Sequence, residues 1–352
     1  MTKFGGICTK AGCRRAQANL FHTCMQRLLA PISAVGETGI EMMGGNGIWR
    51  RCHPILAIFV GDYPEQVLVT CTYNGYCPKC TIPHDQLGEY KGFPLQNLDE
   101  ALKVYQLADN ADTHVFHAAC HETGLKPIYH PFWDSLPLSN IYSSITLDIL
   151  HQLLQGVMKH LISWLTHPNT FGVAEINVRC QSLLPNHHIK QFPQGITNLS
   201  RISGGEHKDM CRILIGLIIN LPLPGGQVPS HVIRSACALL DFLYITQFPS
   251  QTMDTLHHLD ESLMLFHQNK SIFANLGVRA HFNVPKLHSL FHYQSSITLF
   301  GTTDNYNTEQ SEHLHINFAK DAYHATNHKN EYPQMTRWLE RREKVQQHAA
   351  II

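Results

Sequence analysis

The chain has 352 residues, 43% of them hydrophobic and 15% charged, a balance that excludes a disordered tail and allows two or three domains with cores of their own. Lys+Arg and Asp+Glu stand at 27 each, which excludes the broad basic field of a protein that coats nucleic acid and leaves room only for local basic patches. Twenty-five histidines and eleven cysteines point to metal instead.

The first ten residues contain no apolar run of the kind a secretory signal needs, and the longest later run, 213–221, falls far short of a membrane span. An odd cysteine count with a single tight pair fits a reducing, intracellular compartment and one metal cluster better than a disulfide framework.

In chain order, residues 15–35 read as a helix, with Leu20, Phe21, Cys24, Met25, Leu28 and Leu29 at helical spacing until Pro31 breaks the pattern. Residues 39–43 and 48–52 flank the turn Gly44-Gly-Asn-Gly47 and predict a hairpin. The unbroken apolar run 54–60 predicts a buried strand that delivers Asp62 at its end. Residues 65–145, rich in Cys, Gly, Pro and aromatics, read as loops pinned in place. Beyond them helices are predicted over 146–165, 205–221, 230–248, 252–270, 286–298, 308–325 and 333–347. Boundaries are therefore expected near 64, 145 and 285, with a mostly α second half.

Cys77-Pro-Lys-Cys80 is a knuckle whose two-residue spacer lets both thiolates reach one tetrahedral Zn²⁺. Cys71, His84, Cys120 and His121 are candidates for the remaining ligands, and Cys71 or Cys120 is expected to complete a structural zinc site. A redox dithiol lacks the βαβ context it would need. Asp148 and His151, at i and i+3 near a helix start, project from one face. An Asp behind a Thr in a first turn also serves the helix dipole, so spacing alone does not assign the pair a function. Glu309 and Glu312, and likewise Glu206 in Gly204-Gly-Glu-His-Lys208, begin other helices and carry the same plain explanation.

Taken together, the order and wording of these motifs resemble the transposases of the fungal Plavaka group, within the wider Kyakuja-Dileera-Zisupton (KDZ) and CACTA-like assemblage. The matching segments are 18–25, 54–66, Cys77-Pro-Lys-Cys80, 131–133, Leu147-Asp-Ile-Leu-His-Gln-Leu153, Gly204-Gly-Glu-His-Lys208, 281–286, 288–293, 301–309, Glu312-His-Leu-His315 and 334–338, so nearly the whole chain is spanned. The resemblance implies an α+β, mostly α chain. It would comprise an incomplete RNase H-like core over 1–64, a zinc-knuckle region over 65–145, an α-helical insertion over 146–285 and helices returning to the core over 286–352.

It also implies DNA strand cleavage and transfer by two Mg²⁺ or Mn²⁺ ions held on carboxylates. Carried onto this sequence, Asp62 resembles the second catalytic aspartate and Asp148 with His151 the D-x-x-H signature. Glu312 resembles the third carboxylate, with Glu309 and Glu206 as alternatives. Transposon-end DNA is the implied partner, with Arg14, Arg15, Lys208 and Lys286 as contacts, and a homo-oligomer and a nuclear location follow; no membrane and no small-molecule substrate are implied.

One departure matters. The family's first catalytic aspartate lies on an opening strand, and this chain has no Asp before Asp62, while Asn46 stands where an Asp is expected in the hairpin. The sequence therefore reads as an N-terminally truncated catalytic region, inactive as it stands because a metal site short of one bridging carboxylate binds Mg²⁺ poorly. A zinc-stabilised DNA- or protein-binding protein without nuclease activity is the alternative. A third possibility, an unrelated metallohydrolase built on the histidines, lacks any HExxH-like ligand pair.

Overall fold

Thr9 starts the first helix, α1 (Lys10–Thr38), by accepting a hydrogen bond from Gly12 N at 3.1 Å, and Gly39 ends it at φ 73° with its N–H on the Val35 carbonyl. The computed structural model describes residues 9–200 and 202–351, so most of the N-terminal stretch expected to carry no secretory signal lies outside the described residues. Pro31 sits inside α1 and does not end it. The missing N–H costs one hydrogen bond, but Ala18, Phe21, Met25 and Leu29 lie along one face packed on a buried core, and that packing carries the helix through.

The hairpin forms as β1 (Ile40–Met43) and β2 (Trp49–Cys52), antiparallel with Ile40 opposite Cys52 and Met43 opposite Trp49. All four β1 residues are exposed. The run 54–60 does not become a strand: it makes a single parallel bridge, Phe59 to Ile145, and Ile55 is 50% exposed. Without neighbouring strands on both sides its backbone has no ladder to join. Among the described residues the hairpin is the sole sheet, so the chain is mostly helical and an RNase H-like sheet is not seen.

Asp62 instead opens α2 (Tyr63–Val69). The region 65–145 is more helical than its composition suggests, holding α3 (Leu98–Asn110), α4 (Thr113–Glu122) and the short α5 (Ile141–Ser144). Ala101 and Tyr105 on α3, and Phe116 and Cys120 on α4, are buried at i and i+4, a pattern too short to stand out between Gly and Pro. With Val69, Trp133, Ile141 and Tyr142 they make one core.

A second core begins at Leu147 and runs to Ile297. It is built from a π-helical segment, Ile149–Met158, continued by α6 (Lys159–Leu165), then α7 (Val173–Gln181), α8 (Gly204–Ile218), α9 (Ser230–Thr246), α10 (Met253–Asn269), α11 (Ser271–Asn275), α12 (Pro285–His288) and α13 (Tyr293–Phe300). The antiparallel pair α9 and α10 meets through Leu239, Phe242, Leu243, Leu259, Leu263 and Phe266, all buried. A third, small cluster of Cys77, Cys80, Ile82 and Leu87 lies apart from both.

The chain divides into two compact units at 306/307. The second unit holds α14 (Thr308–His315), a π turn at Ile316–Lys320, α15 (Asp321–His324) and α16 (Glu331–Ile351). Within it the Arg342 guanidinium lies 5.5 Å from the Phe318 ring centre and 5.4 Å from that of Trp338, and donates to the Asn317 carbonyl at 2.6 Å. No helix of the described residues is long and apolar enough to cross a membrane.

His22 pins α1 to the first core. Its Nε2 lies 3.1 Å from the Leu68 carbonyl and its Nδ1 accepts from Phe132 N at 3.3 Å, so the ring is the neutral Nε2–H form. Burial, opposed by the Leu68 carbonyl and aided by Lys126, lowers its pKa from 6.5 to about 4. The unfolded chain then binds this proton first as pH falls. The stability His22 contributes is fully present above pH 6.5 and declines as pH drops through 4, by about 3 kcal/mol for a shift of this size. Urea unfolding at pH 7.5, 5.5 and 4.5 is expected to give a steeper loss in the wild type than in His22→Gln; equal slopes would contradict this.

Candidate metal centre and acidic site

Two cysteines and two histidines from distant parts of the chain converge in the third cluster. Cys77 and Cys80 come from the loop after α2. His288 ends α12 and His292 ends the 3-10 turn Ser289–His292, four residues apart on one continuous helical face. Cys77 Sγ lies 3.3 Å from His292 Nε2, and Cys80 Sγ lies 3.1 Å from His288 Nε2. The four donor atoms all fall within 4.8 Å of one another, and all four residues are buried. Tetrahedral zinc at its usual bond lengths sets sulfur-to-nitrogen edges of about 3.6 Å, so one ion fits among them.

The electrostatics agree. Burial pushes the Cys77 thiol up, but hydrogen bonds from Cys80, His288 and His292 outweigh it and hold its pKa well below the ordinary value. Cys80 is raised, first by its hydrogen bond to Cys77 and then by burial. Lys79 N–H donates to Cys77 Sγ at 3.4 Å, and the buried Lys79 ammonium donates to the Ser143 carbonyl at 3.3 Å and to that of Ile145. A thiolate beside a second thiol and two imidazole nitrogens is a donor set of the structural zinc type.

The groups that could complete a site with the knuckle are His288 and His292; the expected Cys71 and Cys120 lie elsewhere. Cys71 lies in the first core with Sγ 3.4 Å from His22 Nε2, and burial raises its pKa to about 12. Cys120 is buried in that core too, its pKa raised to about 11 by burial. His84 is exposed beside the Tyr76 ring, and His121 faces Tyr73. The spacing H-x3-H at 288–292 was the available signal, hidden by 208 residues of separation between Cys80 and His288.

Asp62 and Asp148 each cap the start of a helical segment. Asp62 Oδ1 accepts from Glu65 N at 2.9 Å and so caps α2. Asp148, 1% exposed, caps the π-helical segment, its Oδ2 accepting from His151 N at 2.6 Å and lying 2.8 Å from His151 Nδ1. Lys286 links them. Its pKa is lowered by burial, while the charges of Asp62 and Asp148 act in the opposite direction. Its Nζ donates to the His151 carbonyl at 2.8 Å. A Cβ on Gly156 would lie 2.7 Å from Lys286 Cδ and 2.8 Å from that carbonyl, so glycine is what lets the lysine cross the segment.

A buried amide network braces the same three stretches. Gln66 Nε2 donates to the Gly61 and Thr146 carbonyls at 2.9 and 2.8 Å, Gln152 Nε2 donates to Gln66 Oε1 at 3.3 Å, and Ser289 Oγ donates to Gln152 Oε1 at 3.3 Å. Tyr293 OH donates to the Asp148 carbonyl at 3.1 Å. None of Gln66, Gln152 or Tyr293 is apparent from the sequence, because an isolated amide or phenol has no periodicity to mark it. Asp62, Asp148 and His151 do not form a three-donor group of the kind seen at Cys77.

The other expected site residues are placed differently. Glu206 closes a capping box with Ser203 and pairs with Lys190 at 2.5 Å; the Lys190 hydrogen bond, then those from Ser203, lowers its pKa to about 2. It is a helix cap, not part of the Asp148 network. Glu309 and Glu312 both lie on α14 in the second unit, Glu309 half-buried with Asn307 on its N–H at 3.2 Å and Glu312 exposed. Of the expected DNA contacts, Arg14 and Arg15 are exposed on α1, and Lys208 lies beside Arg212 and Tyr244. Lys286 is half-buried and turned inward to His151.

Comparison with protein families bears on the first 165 residues. Residues 1–165 match the Plavaka transposase family model. This segment is similar to the Plavaka transposases. No curated protein matches the chain. The Plavaka match takes in Asp62, both cysteines of the knuckle, Asp148 and His151, and the histidines that face those cysteines come from beyond it.

Proposed function

We propose that the chain is a DNA transposase by descent, held together by a Cys2His2 zinc clamp, that binds DNA but does not cleave it as this chain stands. The Plavaka match over residues 1–165 supports the descent. The single observation that carries the second half of the reading is Lys286. Its ammonium is in electrostatic reach of both Asp62 and Asp148, carboxylates that a cutting enzyme of this kind would turn toward divalent cations. Asp148 is further committed to His151 N and Nδ1. Asp62, Asp148 and His151 remain the residues assigned to the ancestral acidic site, with Glu312 the assigned third carboxylate. An RNase H-like ancestry for residues 1–64 rests on the family resemblance alone.

In this reading Cys77, Cys80, His288 and His292 hold a structural zinc ion that fixes the knuckle against α12, and the chain works in the nucleus on transposon-end DNA. Phosphate contacts by local basic groups make binding strongly salt-dependent.

The test is plasmid nicking by the zinc-loaded chain in Mg²⁺ or Mn²⁺, alongside a binding titration at two salt concentrations. The expected result is binding that weakens as salt rises, with no nicking. Metal-dependent nicking that Asp62→Ala and Asp148→Ala both abolish would overturn the non-cleaving assignment, and salt-insensitive binding would overturn the phosphate contacts.

A further inference from the structure

Away from the metal centre, a groove of about 680 Å³ opens between the start of α1, the end of α2 and the outer face of α4. Arg14 and Arg15 line it from α1, Lys126 from the loop after α4, and His117 and His121 from one face of α4 at i and i+4. Leu68 and Ile128 supply an apolar floor and Tyr73 an aromatic wall. No carboxylate is among its lining residues.

Two arginines and a lysine line the groove with no carboxylate among its lining residues, an arrangement that suits an anion. Arg15 is in electrostatic reach of both Tyr73 and His117. The Lys126 ammonium has one hydrogen bond among the described residues, to the Val67 carbonyl at 3.4 Å, which leaves donors for a ligand. His117 Nε2 is buried without a hydrogen-bond partner among the described residues. A bare phosphate would use the cations alone. The apolar floor and the Tyr73 ring add a surface for something flat and aromatic.

We propose that this groove takes a nucleotide unit, with its phosphate on Arg14, Arg15 and Lys126 and its base against Tyr73 and the apolar floor. Free nucleotide and a strand of DNA share this chemistry. The choice of a strand as the source rests on the transposase reading, whereas the groove itself does not depend on cleavage.

The experiment is fluorescence anisotropy of a labelled single-stranded oligonucleotide with the full zinc-loaded chain, and competition by dAMP. Arg14→Glu/Arg15→Glu changes two exposed side chains and is expected to weaken binding at least about tenfold and to flatten the salt dependence by about 1.4 in slope. Tyr73→Ala is expected to cost about fivefold or more, the lower range for one stacked base. Arg234→Glu, an exposed arginine on α9, is the control and should change binding less than about twofold, a bound set by weak screened surface charge. Competition by dAMP at concentrations that match the oligonucleotide per phosphate assigns a mononucleotide site; competition only by the oligonucleotide assigns a strand. Absence of binding, or equal binding by the wild type and the Arg14/Arg15 variant, overturns the proposal. Because no cutting is measured, failure of nicking leaves this result intact.

Discussion

Chelation of zinc from the folded chain is expected to lower the melting temperature by about 10 °C, and Cys80→Ser or His288→Ala to do the same without chelator. The reason is that the four donors are not local. Cys77 and Cys80 belong to a small cluster with few apolar partners of its own, Ile82, Leu87 and Phe93, and on the proposed reading a zinc ion shared with His288 and His292 fixes that cluster to α12. Structural zinc contributes folding free energy outright, about 10–16 kcal/mol in small zinc-folded peptides. A 352-residue chain with two other cores retains much of its structure without the metal, so we expect roughly 5 kcal/mol to appear as lost stability, at about 2 °C per kcal/mol for a chain of this size. Cys120→Ser and Cys71→Ser should leave metal content unchanged, since those thiols lie in the other core. Differential scanning calorimetry with metal analysis of each variant checks both halves of the expectation.

The second large effect is expected at Asp148. Asp148→Ala removes the cap of the π-helical segment and the acceptor for the His151 ring at one stroke. Loss of an N-cap costs about 1 kcal/mol, and a hydrogen bond to a buried charged group about 1.5–3 kcal/mol, so a total near 3 kcal/mol is expected. Lys286 is then left with Asp62 as its acidic neighbour. A double-mutant cycle between Asp148→Asn and Lys286→Met is expected to show a coupling of about 1–2 kcal/mol in urea unfolding. Coupling below about 0.3 kcal/mol would mean that the lysine does not neutralise the carboxylate, and the argument for a silenced acidic site would fail.

What could be read from the sequence, and what could not, follows the range of the interactions involved. Helices of the second half were legible because their apolar residues recur on one face, as Leu239, Phe242 and Leu243 do on α9 and Leu256, Leu259 and Leu263 on α10. The hairpin was legible from its Asn46-Gly47 turn. The strand expected at 54–60 was not, because an apolar run records only that residues tend to be buried; whether it pairs depends on neighbours elsewhere, and Phe59 finds one bridge to Ile145. Pro31 likewise marks a local cost that tertiary packing of Phe21, Met25 and Leu29 overrides.

The candidate site divides in the same way. The knuckle Cys77 and Cys80 declared itself through a two-residue spacing, and Asp148 with His151 through a helical one. Their partners did not. His288 and His292 lie 208 and 215 residues from the thiols they face, and Lys286 lies 135 residues from the His151 carbonyl it bonds. Nearness in the chain made Cys71 the reasonable choice of ligand, and the fold places it against His22. Lys286, read as a surface contact for DNA, had no sequence feature separating it from any other exposed lysine.

The most direct test of the zinc clamp is X-ray absorption at the zinc edge of the purified protein. The account requires one zinc per chain with two sulfur ligands near 2.3 Å and two nitrogen ligands near 2.0–2.1 Å, values set by the usual bond lengths. Loss of the nitrogen shell in His288→Ala/His292→Ala would complete the assignment. A shell of three or four sulfurs, or a protein that carries no zinc when prepared without chelator, would contradict it.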